Sequence, residues 1–360
     1  MKKIKLWTKL IALTVVAALA FTACGTTEKE NAASSKKESS KTASTEAGSA
    51  DAPGDEVGEF TIRVGVNSGD QNQYLKILDN HTDFLKDRGI NLEVTEFAAG
   101  INTIDAITTG QLDVGLFADY AGVNRIGNTL NDTRLRAFAL MGITNAYRLY
   151  VNPDTVSTPE DLVGKTVISQ AGVVFEYDYG KLFETYSIAP DSVTFANVSS
   201  TQEALALAAT GDGDSYWVNA NSYDLFEEQG WVPLLTLDEV DATMYTYLVA
   251  DEAYLTEHQA EVSKFLKISD EAFSYITEHL DEFAGWVAEE TGFDKDRFIA
   301  TWKTSTHEYG FPQEAYEDLA KVEKWCYENG NFDTDYDVAD FINTDALEAV
   351  FPERVNWSAE

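Results

Sequence analysis

Between residues 60 and 250, the hydrophobic positions switch repeatedly between the period of a strand and that of a helix. Residues 60–66 alternate apolar and polar side chains, which predicts a strand with one buried face. The stretch 74–88 has helical spacing and stops at Gly89. Further strands are predicted at 92–97, 113–116, 137–140 and 148–151, with helices at 101–110 and between 116 and 137. Strands separated by helices predict an α/β fold with a mostly parallel sheet.

The same pattern then begins again and ends in a helical region. A short helix and a strand are predicted within 161–168, and further strands at 192–196, 214–218 and 244–249. Helices are predicted at 177–186 and 202–210, and later helices at 257–280, 280–291, 294–301 and 312–329. Two α/β units predict two lobes, each a mixed, mostly parallel sheet flanked by helices. We expect 60–148 plus 248–360 to form lobe 1 and 149–247 to form lobe 2, with crossings near 148–152 and 244–250.

Residues 1–24 have the order of a secretory signal peptide. Four lysines give a positive start, 10–21 is an apolar run, and small residues lead into Cys24. The apolar run is shorter than the roughly 20 residues that span a bilayer. A cysteine at the cleavage point resembles a bacterial lipoprotein signal, although Phe21 stands where such signals usually have Leu. We therefore expect Cys24 to carry a lipid; the alternative is an ordinary secretory signal.

Residues 25–59 consist mainly of Ser, Thr, Ala, Glu and Lys and contain almost no large apolar side chains. A segment of this composition cannot bury enough apolar surface to offset its ordering entropy, so we expect disorder. A flexible coil of this length reaches roughly 30–35 Å. The segment is predicted to be a tether between the membrane and the folded body.

The net charge of the chain is −35, from 26 basic and 61 acidic residues. Cleavage before Cys24 would remove four lysines and no acid, which would leave a net charge of −39. Such a charge disfavours nucleic acid and anionic lipid headgroups as partners. With Cys24 acylated, Cys326 has no disulfide partner. The four histidines show no metal-ligand spacing, so neither a metal nor a cofactor is predicted.

Polar turns follow the predicted strands in both halves of the chain. In open α/β sheets, ligands bind beyond the carboxyl ends of strands and near helix N-termini. A purely structural role is the alternative for each residue, since polar turns and buried aromatic rings occur throughout α/β proteins. The candidate ligand-binding residues are Ser68, Asp70, Gln71, Gly100, Ile101, Asn102, Asp119, Tyr120, Gly172, Val173, Phe175, Glu176, Trp217, Asn219 and Asn221.

Four segments carry motifs in a characteristic order. Residues 96–115 resemble the pattern E-F-x-x-G…A-L-x-x-G-x-x-D-x-G, and 161–167 resemble D-L-K-G-K-x-V. Residues 203–214 resemble A-x-x-A-L-x-x-G-x-x-D, and 325–341 resemble a closing W-x-x-x-x-G…D-V-x-D-F/Y. These patterns belong to solute-binding proteins of ATP-driven importers for aliphatic sulfonates, nitrate, taurine and thiamine precursors. The resemblance spans about 60–345 and implies a two-lobed periplasmic-binding-protein-like fold of type II.

The chain departs from these relatives at positions that the resemblance assigns to the ligand. Where the family often has Gly-Ser, with a hydroxyl that helps to hold a sulfonate, 171–174 read Ala-Gly-Val-Val. The late Trp-Asp-Pro-Tyr-like segment is replaced by Asn-Ala-Asn-Ser-Tyr at 219–223. Acidic residues at Asp70, Asp119 and Glu176 disfavour a bare anion and favour an amine or a hydrogen-bonding ring. A small heterocyclic or amine compound therefore stands beside a sulfonate as the expected ligand.

The resemblance implies a monomeric, lipid-anchored receptor on the extracellular face of the cytoplasmic membrane. It would close on a small molecule by hinge motion and deliver it to the permease and ATPase of an ABC importer. A ligand-sensing lipoprotein of the same fold is one alternative, and an enzyme related to pyrimidine-precursor synthesis is another. Such enzymes carry a cysteine-rich segment, which this chain lacks, and no nucleophile elbow occurs. We therefore expect a binding protein without catalytic residues.

Overall fold

Ten strands form two separate sheets in the residues that the computed structural model describes, 57–67, 71–97, 100–130, 132 and 134–359. The strands are β1 (Phe60–Asn67), β2 (Ile90–Phe97), β3 (Val114–Ala118), β4 (Leu135–Thr144), β5 (Tyr147–Val151), β6 (Thr166–Ser169), β7 (Thr194–Asn197), β8 (Ser215–Asn219), β9 (Val232–Thr236) and β10 (Met244–Asp251).

Twelve α-helices accompany these strands in the same part of the chain. They are α1 (Gln71–Thr82), α2 (Ile101–Thr108), α3 (Asp119–Gly127), α4 (Phe175–Tyr186), α5 (Thr201–Thr210), α6 (Tyr223–Glu227), α7 (Glu252–Glu257), α8 (Gln259–Glu278), α9 (Leu280–Thr291), α10 (Lys295–Trp302), α11 (Gln313–Glu328) and α12 (Asp345–Glu348). No helix within the described residues has the length and the apolar content needed to cross a bilayer.

The two sheets repeat one topology. The strand order is β2-β1-β3-β10-β4 in the first sheet and β7-β6-β8-β5-β9 in the second. In each sheet the first three strands pair in parallel, and the fourth strand, β10 or β5, is antiparallel to both of its neighbours. Helices flank both sheets, so the predicted α/β fold with two mixed, mostly parallel sheets is confirmed.

The chain passes between the sheets twice. It leaves the first sheet at Thr144 and enters the second at Tyr147, and it returns between Thr236 and Met244. The predicted lobe boundaries at 148/149 and 247/248 fall inside β5 and β10. Because a strand that is hydrogen-bonded within a sheet moves with that sheet, we propose that the boundaries lie in the two connections instead.

Two local differences from the predicted elements have clear physical causes. The helix predicted over 74–88 ends at Thr82, because the Asp79 carboxylate accepts the N–H groups of Leu85 and Lys86 at 2.8 and 3.1 Å and so competes with the helical ladder. Strand β9 was not predicted. It contains Pro233 and lies at the edge of its sheet, where a missing N–H is tolerated.

The strands of the first sheet are continuous apolar segments because they lie in the interior of the protein. Ile62, Val64 and Val66 of β1 are fully buried, and all but the last residue of β3 are buried. Strands covered on both faces by helices contain few polar side chains, because neither face meets water. The predicted signal peptide, Cys24 and most of the predicted tether lie outside the described residues.

Candidate functional site

The carboxyl ends of the parallel strands of the two sheets face each other. Asp119 and Tyr120 follow β3 of the first sheet, whereas Phe175 and Glu176 follow β6 of the second. The Tyr120 hydroxyl donates a hydrogen bond to the Glu176 carboxylate across the gap between the sheets. The candidate site therefore lies between the lobes, where ligands of open α/β sheets bind.

Asp119 is a buried carboxyl group held by the backbone of the first lobe. It is 1 % exposed, and its two oxygens accept the N–H groups of Tyr120 at 2.6 Å and Tyr245 at 2.7 Å. Burial raises the pKa of Asp119 to about 6, and the two backbone hydrogen bonds act in the opposite direction. Burial, with the charge of Asp119, also raises the pKa of Asp318 on α11 well above its usual value.

Tyr120 is the central contact between the lobes. Besides donating to Glu176, its hydroxyl accepts a hydrogen bond from the Asn331 amide nitrogen at 2.9 Å. Its ring stacks on Tyr177 of the second lobe, with centroids 6.2 Å apart, and Trp325 lies edge-on at the same centroid distance. Burial and the hydrogen bond to Glu176 raise the pKa of Tyr120, so its hydroxyl remains a donor at every physiological pH.

Trp325 of α11 inserts against helix α4 of the second lobe. Its ring is perpendicular to Tyr177 at 5.1 Å, and its Nε1 donates to the Glu184 carboxylate at 2.7 Å. The approach is possible because residue 180 is glycine: a Cβ atom there would lie 2.2 Å from the Trp325 ring. This contact joins the lobes through a position that only glycine permits.

One face of the second sheet carries polar and aromatic side chains that pack against helix α4. Tyr147 of β5 pairs with Asn219 of β8, and the register places Trp217 on the same face. Burial raises the pKa of the Tyr147 hydroxyl, and the neighbouring Asn219 side chain acts in the opposite direction. Helix α4 covers this face, since Tyr179 contacts the Trp217 ring at 6.3 Å.

Several buried polar atoms near this face have no hydrogen-bond partner. They are both carboxylate oxygens of Asp178, the hydroxyls of Tyr177 and Ser169, and the indole nitrogen of Trp217. Unpaired buried polar atoms are rare in folded proteins and cost free energy, so such a group of them calls for a partner from outside the chain. Burial, followed by the charge of Asp119, raises the pKa of Asp178 well above its usual value.

The remaining predicted residues occupy different environments. Gln71 opens α1 and donates to the carbonyl oxygens of Met141 and Thr306 at 3.0 and 3.1 Å, while its Oε1 is buried without a partner. Ser68 and Asp70 lie outside the described residues. The turn residues Gly100, Ile101, Gly172 and Val173 precede or begin helices α2 and α4, Phe175 is buried against Tyr147 and Tyr216, and Asn102 and Asn221 are exposed.

Several residues of this interface were not predicted from the sequence: Tyr147, Tyr177, Asp178, Asp318, Trp325 as a lobe contact, and Asn331. Most of them lie on helices or strands rather than in the polar turns after strands. Asp178 carried a usable signal, because it is an acid placed among the aromatic residues of an otherwise buried helical face. No group of three or more acidic, histidine or cysteine residues suited to a metal ion occurs within the described residues.

This architecture, two like sheets whose parallel strands end toward each other, defines the periplasmic-binding-protein class of fold. The NMT1/THI5-like family profile matches residues 75–283. The chain therefore belongs to the NMT1/THI5-like family. No curated protein sequence matches the chain significantly.

The chain aligns with solved structures of the same fold over nearly their whole length. The alkanesulfonate-binding protein SsuA of Xanthomonas axonopodis, bound to MOPS, has a TM-score of 0.67 at 15 % identity over 80 % of this chain and 99 % of its own. The aliphatic sulphonate-binding SsuA of Escherichia coli has a TM-score of 0.65 at 16 % identity, over 81 % and 99 %. The desulfurization enzyme DszB has a TM-score of 0.59 at 11 % identity, over 82 % and 99 %. At these identities, the likeness shows the fold alone.

The raised pKa of Asp178 predicts how the stability of the unliganded protein depends on pH. The folded protein holds this proton to a higher pH than the unfolded chain does, so the contribution to stability is lost as pH rises above about 4. Asp178→Asn removes this loss. We therefore expect the melting temperature of the variant, relative to that of wild type, to rise as pH increases from 4 to 8. A constant difference across this range would contradict the burial of an uncompensated carboxyl.

Removal of the Tyr120 hydroxyl is expected to loosen the contact between the lobes. Tyr120→Phe keeps the ring packing but deletes a hydrogen bond to a carboxylate, which is worth about 1.5–3 kcal/mol. We expect a larger radius of gyration of the unliganded variant in small-angle X-ray scattering. Tyr336→Phe is the matched control, because the hydroxyl of this half-buried residue donates to the Val123 carbonyl oxygen within one lobe. Equal scattering from both variants would show that Tyr120 does not hold the lobes together.

Proposed function

We propose that the protein is an extracellular solute-binding protein that captures a small organic molecule between its lobes and delivers it to an ABC importer. The observation that carries this proposal is the set of buried, unpartnered polar atoms where the strand ends of two like lobes face each other. The contacts of Tyr120 and Trp325 with the second lobe support a closed, ligand-enclosing arrangement. Candidate ligands are a sulfonate, a small heterocycle and an amine.

The structural neighbours support a binding role and raise one alternative. Two of them are named as sulfonate-binding proteins, and another is a desulfurization enzyme. Cysteine chemistry receives little support from the site. Cys326 is fully buried, and burial raises the pKa of its thiol, so that the nucleophilic thiolate is disfavoured. The proposal includes delivery of the solute to a permease rather than a signalling role.

A ligand panel tests the proposal. The purified full chain is heated with sulfonates, amines and aminopyrimidines, and one compound at about 100 times its Kd should add about 2.7 kcal/mol, which raises the melting temperature by several degrees. Native mass spectrometry checks for a molecule that is carried through purification. If no compound shifts the melting temperature and the protein carries none, the binding role is wrong.

A variant pair then locates the site of that ligand. Asn219→Ala removes a half-buried amide that contacts Tyr147, and we expect the affinity for the active compound to fall about tenfold. Asn197→Ala is the matched control, since Asn197 also ends a parallel strand of this sheet but is exposed at its edge. Equal losses of affinity in the two variants would show that the compound does not bind beside Asn219.

The proposed lipid anchor is tested by location. Cys24→Ser removes the thiol that would be acylated, and the protein should move from the membrane fraction to the culture medium. Cys326→Ser, at the other cysteine, should stay in the membrane fraction. Retention of Cys24→Ser in washed membranes would contradict an anchor at this residue. Immunoblotting of both fractions provides the measurement.

A further inference from the structure

We propose that the solute carries a positive charge, and that its protonated nitrogen binds the Asp178 carboxylate at the interlobe face of the second lobe. This inference rests on the proposed solute-binding function and narrows it from three ligand classes to one, an organic cation.

Asp178 differs from every other buried acidic residue that the structure describes. The others are Asp113, Asp119, Asp318 and Glu323, and each has at least one hydrogen-bond donor on its carboxyl group: respectively Arg63, two backbone N–H groups, the Tyr247 hydroxyl and the backbone N–H of Tyr336. Asp178 is 0 % exposed and has a partner on neither oxygen. A buried carboxyl in this state is costly unless something outside the chain pairs with it.

The groups around Asp178 suit a cation with an apolar body. Asp178 lies beside Tyr177 and Tyr179 in the first half of α4. Its charge raises the pKa of the Tyr147 hydroxyl of β5, and the charge of Asp119 in the opposite lobe raises the pKa of Asp178. Aromatic rings attract cations through the negative charge on their faces. The unpartnered Trp217 nitrogen and Tyr177 hydroxyl offer hydrogen bonds to a ligand as well.

The same environment opposes an anion. Asp119 and Asp178 bring two buried carboxyl groups to the interface from opposite lobes, and Glu176 adds a third acid bonded to Tyr120. A sulfonate placed among them would meet like charges at low dielectric constant, where repulsion is strong. The net charge of −35 also favours the approach of cations from solution.

The nearby lysines do not supply the missing charge. Lys181 lies on α4 itself, but its ammonium group is 3.5 Å from both Glu184 and Asp241. Lys321 of α11 also pairs with Asp241 at 3.5 Å. Lys321 lowers the pKa of Asp119, whereas the pKa of Asp178 has only raising influences, namely burial and the charge of Asp119. The Asp178 carboxyl therefore has no cation partner among the described side chains.

A charge-matched series of ligands tests the inference on the full chain. Benzylammonium, benzyl alcohol and benzenesulfonate share one ring and carry charges of +1, 0 and −1, and propylammonium, propanol and propanesulfonate repeat the series at smaller size. Isothermal titration calorimetry should show binding of at least one ammonium compound, at least tenfold tighter than its alcohol, and no binding of the sulfonates. Asp178→Asn should weaken ammonium binding by about 30-fold or more. Asp113→Asn, a buried acid paired with Arg63 far from the cleft, should change it less than twofold.

A measurement on wild type covers the case in which Asp178→Asn fails to fold. Burial raises the pKa of Asp178, so protons compete with the cation for this carboxyl, and the ammonium affinity of wild type should rise as pH increases from 4 to 8. The groups that face Asp178 are Asp119, Tyr147, Tyr177 and Tyr179, and of these only Asp119 titrates in this range, with a pKa of about 6. An ammonium affinity that is constant or falls over this range would overturn the inference.

The outcomes separate this inference from the proposed function. If a sulfonate or an alcohol binds best, or if Asp178→Asn leaves ammonium affinity unchanged, the cation inference is overturned while the binding function stands. Failure of both ammonium compounds to bind also overturns it. If the wider panel of sulfonates, amines and aminopyrimidines gives no binding either, the proposed function fails with it.

Discussion

The cost of burying carboxyl groups where the two lobes meet governs the rest of this structure. Asp119 meets that cost with two backbone hydrogen bonds, and the one from Tyr245 holds the end of β3 against the start of β10. Asp178 has no such bonds, and its pKa is raised by burial and by the charge of Asp119. The two lobes therefore bring together one satisfied and one unsatisfied acid. If the lobes close without a ligand, the cost of burying the Asp178 carboxyl remains. A ligand that pairs with this carboxyl would therefore stabilise the closed arrangement.

The fold was largely predictable because its signals are local. The alternating pattern of β1, the buried segment of β3 and the repeat of the whole arrangement after residue 160 follow directly from side-chain polarity. Errors arose where side chains acted on the backbone, as Asp79 does at the end of α1, and where an edge position tolerated Pro233 in β9. Neither effect leaves a periodic pattern in the sequence.

The candidate site was only partly predictable, for a different reason. Asp119, Tyr120 and Glu176 follow strands, and they were predicted because ligands of open α/β sheets bind beyond strand ends. Asp178 and Trp325 lie within helices, and their importance depends on which helix faces come together across two lobes. That pairing is a long-range property of the folded chain. Sequence spacing within one helix cannot reveal the partner on the other lobe.

The glycine at position 180 couples the stability of a helix to the position of a lobe. Glycine within a helix costs about 0.5–1 kcal/mol relative to alanine, because it has more backbone freedom to lose. In the closed arrangement, the Trp325 ring occupies the space that a side chain would fill and restricts this segment of α4. If the lobes separate as the proposed function requires, that support is lost while the glycine remains. We then expect helix α4 to be locally weaker in the open form, so that ordering of its first turns contributes to the free energy of closing.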